Sequence, residues 1–407
     1  MSRPYFTAAQ RRQLLVRRHL LNGSGTSVEH VADALLAVHA TDPATPYLSV
    51  LARTTDVSID DIASAMYEHR LLVRWLAMRR TVFLMNRERI PDVQAAVSGP
   101  LADVLRRRLV TLLEKNQALP GVPDISAWVA AAEEGVRAAA RELGDASGAQ
   151  LSAVEPRLKT VIPPRLPSDT RQTVTSPLLA MMSAAGEIVR GTPVGAWTTR
   201  QHRWQAVNTW WPDGVPLRDA SEARTNIARQ WLQSYGPATM DDLQWWTGWT
   251  KTATRAALAS LDTVDVDLEG IDGIDLARTG ELGITADGIE PTAVLLPSLD
   301  STARGWKHRD WYSPAHTSGL YDNRGNIGPT IWWNGAIVGV WASTPTGIRT
   351  HLLEDTGHVA ADKVSAAAAD LEKKLGGVVV TPSIRTTIER SLTVADGFEA
   401  ARARCRL

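Results

Sequence analysis

The sequence predicts an α+β protein in which groups of helices are closed, three times over, by pairs of short strands, with a β-rich region at the C-terminal end. Three observations carry this reading. The chain has 407 residues, enough for two or three cores at about 150 residues per domain. Helical apolar spacing gives way to extended runs at 58–85, at 176–197 and again after 251. Finally, Asn334-Gly335 lies between Thr330-Ile331-Trp332-Trp333 and the run Ala336 to Trp341, and Asn-Gly supplies the positive φ angles of a type I′ hairpin turn.

The first helix starts after Thr7, a good N-cap, and runs through Leu14, Leu15 and Leu21 to a Gly23-Ser24-Gly25 stop. A second begins after Ser27 with Val31, Leu35 and Val38 at helical spacing, and Asp42-Pro43 announces a third, with proline in the first helical position. The turn His39-Ala40-Thr41 lies between them. A helix from Ser58 to about His69 precedes two extended runs, Leu71 to Leu76 and Thr81 to Met85, joined by Met78-Arg79-Arg80. Helices closed by such a hairpin make a winged helix-turn-helix pattern, so 1–91 reads as the first unit.

Residues 92–172 read as a helical connector. Val93, Val97, Leu101 and Leu105 keep helical spacing, Arg106-Arg107-Arg108 forms an exposed basic face, and an alanine-rich helix covers about 126–143. Pro156, Pro163, Pro164 and Pro167 mark a linker or domain edge. The second unit, 173–220, has a helix from Ser176 and Pro177 through Met182, followed by Glu187 to Arg190 and Gly195 to Trp197. The third, 221–292, has helices at 229–235, from Thr239 into Trp245-Trp246, and at 251–261, with acidic strands over 263–278. The remainder, 293–407, is the β-rich region. It adds a tight turn at Asp322-Asn323-Arg324-Gly325, a helix from about Ala360 to Leu375 that stops at Gly376-Gly377, and a strand at Val378-Val379-Val380.

Composition sets bounds on function. Apolar residues are 44% and charged residues 22%, the profile of a globular chain, and no apolar run approaches the ~18 residues of a membrane span. Met1 to Phe6 lead straight into an arginine-rich amphipathic stretch, which predicts no signal peptide. The single Cys405 excludes an internal disulfide and a cysteine-cluster metal site, and a reducing compartment, the cytoplasm, fits best. The 44 basic and 44 acidic residues cancel, yet 1–91 holds twelve bases against eight acids while 260–300 holds ten acids and one base. The balance is therefore local, because salt screens exposed charges beyond about 10 Å. No glycine-rich phosphate loop, dinucleotide fingerprint or Gly-x-Ser-x-Gly elbow is present. The spacing of His308, Asp310, His316 and Asp322 matches no zinc pattern, so neither metal nor cofactor is expected.

Several segments together resemble the winged-helix family HTH_42, whose members include AlkZ-like and YcaQ-like bacterial DNA glycosylases. They are Ala37-Val38-His39-Ala40-Thr41-Asp42-Pro43, Trp75 to Leu84, Trp245-Trp246-Thr247-Gly248-Trp249, Leu295 to Asp300, Gly305 to Tyr312, and Gly328 to Trp333. The resemblance implies three tandem winged helices around a DNA-binding channel that holds duplex DNA, with the C-terminal part completing the site. It also implies removal of alkylated purines, chiefly cationic N7-alkylguanine adducts. Some members unhook crosslinks left by DNA-damaging natural products, which points to base excision repair or self-resistance. The family's signature is Gln-x-Gln or Gln-x-Asp directly before Asp-Pro, and here that position reads His39-Ala40-Thr41.

The candidate catalytic residues are accordingly His39, Thr41 and Asp42. An N7-alkylguanine already carries positive charge, so the enzyme has mainly to position water and stabilise an oxocarbenium-like sugar. A histidine can accept a proton near neutral pH, Thr41 can orient the water, and Asp42 is foremost an N-cap. With no lysine near the motif, the expected enzyme is monofunctional, acting as a monomer on double-stranded DNA and not on membranes. The candidate DNA contacts are Lys307, His308 and Arg309 in a basic-aromatic cluster, Arg324 at its turn tip, and Arg79 and Arg80 at the first hairpin. The same residues also admit a non-catalytic DNA-binding protein or transcriptional regulator, or a glycosylase with a different lesion choice.

Overall fold

The computed structural model describes residues 3–164, 171–271, 275–278 and 290–394. Pro167 and Cys405 lie outside the described residues. The chain forms two compact units, Met1–Glu68 with Thr225–Leu407, and His69–Arg224.

Local capping chemistry fixes most helix starts. In the first unit, β1 (Tyr5–Phe6) leads into α1 (Ala8–Arg18), where Thr7 and Gln10 form a reciprocal capping box. Leu20 takes a left-handed φ of 54°, so α1 stops before the expected Gly23-Ser24-Gly25 signal. α2 (Val28–Ala34) is capped by Ser27, whose side chain accepts from the His30 amide at 3.1 Å. Here the structure corrects the sequence reading: Leu36 sits at φ 60°, the helical period breaks, and Val38 lies in the extended pair β2 (Val38–His39). α3 (Ala44–Leu51) and α4 (Ile59–Tyr67) follow, the latter capped by Ser58 and Asp61.

The unit 69–224 opens with an antiparallel hairpin, β3 (Leu72–Leu76) and β4 (Val82–Asn86), in the register Leu72↔Asn86 to Leu76↔Val82. A helical stretch comes next: α5 (Ile90–Val93), α6 (Gly99–Lys115) and α7 (Ile125–Leu143), the last capped by Asp124. After β5 (Ala146–Ser147) and α8 (Gly148–Val154), β6 (Val161–Ile162) pairs with β7 (Gln172–Thr173). α9 (Thr175–Ala184) then precedes the hairpin of β8 (Ile188–Pro193) and β9 (His202–Ala206). This is again helix then strand pair. The helix starts one residue before Ser176, so Pro177 sits third in it, where its missing N–H still breaks no helical hydrogen bond.

α10 (Ala220–Tyr235) returns the chain to the first unit, followed by α11 (Met240–Thr247), with a Thr239–Asp242 capping box and left-handed Gly248 at its end, and by α12 (Lys251–Ala259). β10 (Thr263–Leu268) pairs antiparallel with β11 (Asp275–Arg278) and parallel with β1. Phe6, Leu14, Val266 and Leu268 close a small core beneath this sheet. The C-terminal region is a four-stranded antiparallel sheet in simple order: β12 (Ala293–Leu296), β13 (Thr330–Trp333), β14 (Ala336–Thr344) and β15 (Gly347–Leu352). Asn334 and Gly335 turn β13 into β14 at φ 49° and 80°, as a type I′ turn requires. α13 (His358–Leu375) ends in left-handed Gly376, and α14 (Thr387–Thr393) follows. The expected strand at Val378 to Val380 does not form. β14, beside which the run passes, already has a partner on each side, and only Val380 engages it, through its amide on Ser343 Oγ at 3.1 Å.

Candidate active site and nucleic-acid surface

The turn from His39 to Pro43 is fixed by hydrogen bonds on both sides. The Ser301 hydroxyl donates to the Ala37 carbonyl at 2.6 Å and accepts from the His39 amide at 3.0 Å, bridging the two ends of the short extended segment. Thr45 Oγ1 donates to the Ser298 carbonyl at 2.8 Å. Asp42 is 3% exposed. Its Oδ1 accepts from the Ala44 amide at 3.0 Å and its Oδ2 accepts from the Ser383 amide. One of these amides opens α3 and the other belongs to a segment 341 residues away; α3 begins at Ala44, so Pro43 precedes the helix and is not, as the sequence predicts, its first residue. His39 is buried and Thr41 exposed, so the threonine is the member of the motif that faces solvent.

Segment 298–302, which clamps the turn, is itself anchored by a buried ion pair. Arg53 and Asp300 are both fully buried. Arg53 Nη2 donates to Asp300 Oδ1 at 2.7 Å and Nη1 to Oδ2 at 2.9 Å, a bidentate fork. Ser49 Oγ and the Thr302 amide satisfy the remaining lone pairs of Asp300, at 2.6 and 2.9 Å. Burial works to raise the Asp300 carboxyl, but the Arg53 charge and these hydrogen bonds outweigh it and hold the group below its ordinary value. His19 joins the same network through Thr302 Oγ1 at 2.9 Å and the Ser234 carbonyl at 3.1 Å. Burial first, then the Arg53 charge, pushes His19 down to about 3, so its imidazole is neutral and structural.

Aromatic side chains surround that pair. Tyr235 stands edge-on to His19 at 4.8 Å and to Trp306 at 5.1 Å, and its hydroxyl donates to the Leu35 carbonyl at 2.8 Å, fixing the end of α2 just ahead of the turn. A Cβ on Gly305 would lie 2.3 Å from the Tyr235 ring, so only glycine allows this approach.

The basic-aromatic segment divides as its residue types suggest. Trp306, Trp311 and Tyr312 are core residues. Asp242 Oδ1 accepts from the Lys307 and His308 amides at 2.8 and 3.0 Å, tying the segment to α11. Lys307 Nζ, exposed, is 3.2 Å from Asp241. Arg309 donates from Nε to the Trp306 carbonyl at 3.1 Å and holds its guanidinium 5.0 Å from the Trp245 ring centroid. Lys307, His308, Arg309 and Tyr321 line an open basin of about 640 Å³. Arg324 is exposed at the tip of a turn in which Asp322 Oδ1 accepts from the Arg324 and Asn326 amides, both at 2.8 Å.

Arg79 and Arg80 are exposed at the tip of the β3–β4 hairpin in the other unit, both with left-handed φ, 51° and 59°. Of the candidate residues, His39, Thr41 and Asp42 share one turn and Lys307 to Arg309 share one basin. The sequence reading missed Arg53, Ser301 and His19. Asp300 was visible as the last residue of the segment Leu295 to Asp300, though its partner was not.

The fold defined so far is that of an α+β protein built from helix-then-hairpin segments and a C-terminal antiparallel sheet, and it is shared with a DNA glycosylase. The structure matches that of the Streptomyces sahachiroi DNA glycosylase AlkZ with a TM-score of 0.71 at 18% identity, over 93% of this chain and 99% of that one. That likeness is one of fold. A family model described as DNA glycosylase AlkZ-like matches residues 32–378, and the chain belongs to the AlkZ-like DNA glycosylase family. It is therefore a DNA N-glycosylase by family, and the regulator alternative is set aside. Among curated proteins, none matches the sequence.

Proposed function

We propose that this chain is a monofunctional glycosylase that hydrolyses the N-glycosidic bond of alkylated purines in duplex DNA, N7-alkylguanine adducts above all, including bulky or crosslinked ones, as repair or as self-resistance to a genotoxic natural product. The observation that carries the reading is the Ser301-clamped turn, which holds His39 and Thr41 directly before Asp42-Pro43, where the family's glutamine signature falls. The leaving base is already cationic, so its departure needs little protonation. Water then attacks C1′ of the sugar, and its proton passes to His39 while Thr41 orients it. The products are the free base and an abasic site. No lysine lies in the turn to form an imine with C1′, which favours hydrolysis without strand cleavage. The enzyme works as a monomer in the cytoplasm, and Lys307, Arg309, Arg324, Arg79 and Arg80 contact backbone phosphates.

The test is single-turnover base release from duplex DNA carrying N7-methylguanine and, separately, a bulky intercalator adduct, with alkali revealing abasic sites. His39→Ala is expected to lose about 10²–10⁴-fold in rate, the usual worth of a general base. Full activity in His39→Ala defeats the assignment of the base. Strand breaks before alkali treatment defeat the monofunctional reading.

A further inference from the structure

Two arginines and a histidine meet on the β8–β9 hairpin. Arg190 and Trp204 are cross-strand partners, and the Arg190 guanidinium lies 5.5 Å from the centroid of the Trp204 indole. His202 stands edge-on to the same indole at 4.8 Å. Arg74, on β3, donates to the Gly191 carbonyl at 2.7 Å, which puts its guanidinium against the residue next to Arg190. The register shifts between Arg190 and Pro193, so the strand bulges here, and bulges redirect side chains out of the ladder.

Among the described residues, no carboxylate pairs with Arg190 or His202. Burial first, then the Arg74 charge, pushes Arg190 down to about 10, and burial, then Arg190 and Arg74, pushes His202 down to about 3. Asp145, beside the same strand, is engaged by Thr192 Oγ1 at 2.6 Å and faces Gly191. His202 Nδ1 meets the Arg200 carbonyl at 3.3 Å, while Nε2 is buried without a partner. Arg190 and His202 are each partly exposed, so the cluster opens to solvent. Like charges held together out of water are costly unless an anion sits between them. A phosphate accepts the planar forks of arginines and one imidazole N–H, and such contacts hold a protein in register on a duplex.

We propose that Arg190, His202 and Arg74 form a phosphate site on the β8–β9 hairpin that takes one backbone phosphodiester of duplex DNA. A free phosphate ion has the same chemistry and is the other possible source. The site rests on DNA as the partner, not on the lesion or on His39.

The test is binding of the full-length protein to a short undamaged duplex over a salt series. The variants are Arg190→Gln, Arg190→Lys and His202→Gln, with Arg141→Gln on the exposed face of α7 for comparison. In Arg190→Gln the slope of log K against log salt is expected to shrink by about 0.9, the value of one phosphate contact, with Kd raised about five- to ten-fold near 0.1 M salt. Arg190→Lys keeps the slope, His202→Gln weakens binding less, and Arg141→Gln changes Kd by no more than about two-fold. Thermal melting of Arg190→Gln is expected to be unchanged or raised, because a repulsion has been removed. An unchanged slope in a folded Arg190→Gln overturns the proposal, and so does a lowered melting temperature with an unchanged slope, the mark of a structural arginine. Inorganic phosphate that stabilises the wild type but not Arg190→Gln, with the duplex slope unaltered, assigns the site to a free ion and overturns the DNA assignment. Because the DNA is undamaged, failure of the proposed base release leaves this result untouched.

Discussion

Replacing Asp300 by asparagine keeps the shape of the buried network and removes its charge. In the native chain the carboxylate accepts four hydrogen bonds, two from Arg53, one from Ser49 and one from the Thr302 amide, at 2.6 to 2.9 Å. Asparagine leaves one acceptor oxygen and turns an NH2 group toward donors, while Arg53 stays charged at 0% exposure. Removing one partner of a buried pair costs about 3–5 kcal/mol. At roughly 2–4 °C per kcal/mol for a unit of this size, the melting temperature should fall by about 10 °C. Circular dichroism follows the loss. The double variant Arg53→Met with Asp300→Leu should be less destabilised than either single change, since no charge is stranded. Because Ser301 adjoins Asp300 and clamps His39, base release by Asp300→Asn should also slow well below its melting temperature. An Asp300→Asn protein that melts within about 2 °C of wild type, or a double variant worse than both singles, refutes the reasoning.

His19 makes stability depend on acid. Its folded value, about 3 against an ordinary 6.5, means that the unfolded chain takes up the proton first, so its contribution is complete above about pH 6.5 and lost as pH falls toward about 3, on the order of 5 kcal/mol in all. Denaturant midpoints across that range should fall less steeply for His19→Gln, and a profile parallel to wild type counts against the neutral buried imidazole. Restoring the family's glutamines by His39→Gln, alone or with Thr41→Gln, should keep more base release than His39→Ala does, since glutamine still positions water although it takes no proton. An inactive, folded His39→Gln shows instead that this site depends on histidine. Arg309→Gln should weaken duplex binding about three- to ten-fold and more than Lys307→Gln, because Asp241 already answers the Lys307 charge at 3.2 Å. The reverse order in an anisotropy titration contradicts that assignment.

Features governed by neighbours in sequence were legible in sequence. Thr7, Ser27, Ser58 and Thr239 each cap a helix through a side chain within three residues, and Asn334-Gly335 turns its hairpin by its own φ preferences. Short strands were not legible, because pairing depends on a partner far away. Val38 kept helical spacing yet lies in β2, and Val378 to Val380 has strand composition but no free edge beside β14. The candidate site shows the same division. His39 to Pro43 is contiguous and could be read directly. The Ser301 clamp spans 264 residues and the Arg53–Asp300 pair 247, separations at which a lone serine or arginine gives no signal.

The balanced net charge belongs to the same picture. Asp300 neutralises Arg53 inside the core, Asp241 offsets Lys307, and Asp242 serves the amides of Lys307 and His308 as well as the cap of α11. These acids are placed to hold the cationic segment and the turn in position, and they lower the general attraction to DNA that the arginines alone would create. The turn follows the same economy, with both oxygens of Asp42 engaged by backbone amides. Under the proposed reaction, the Asp42 carboxylate serves first to hold the turn. The work falls on a held water, a histidine and the positive charge already on the leaving base. An enzyme working by that proposed reaction would have little purchase on an undamaged, neutral purine, and selectivity for alkylated bases would follow from the chemistry it lacks as much as from the shape of its site.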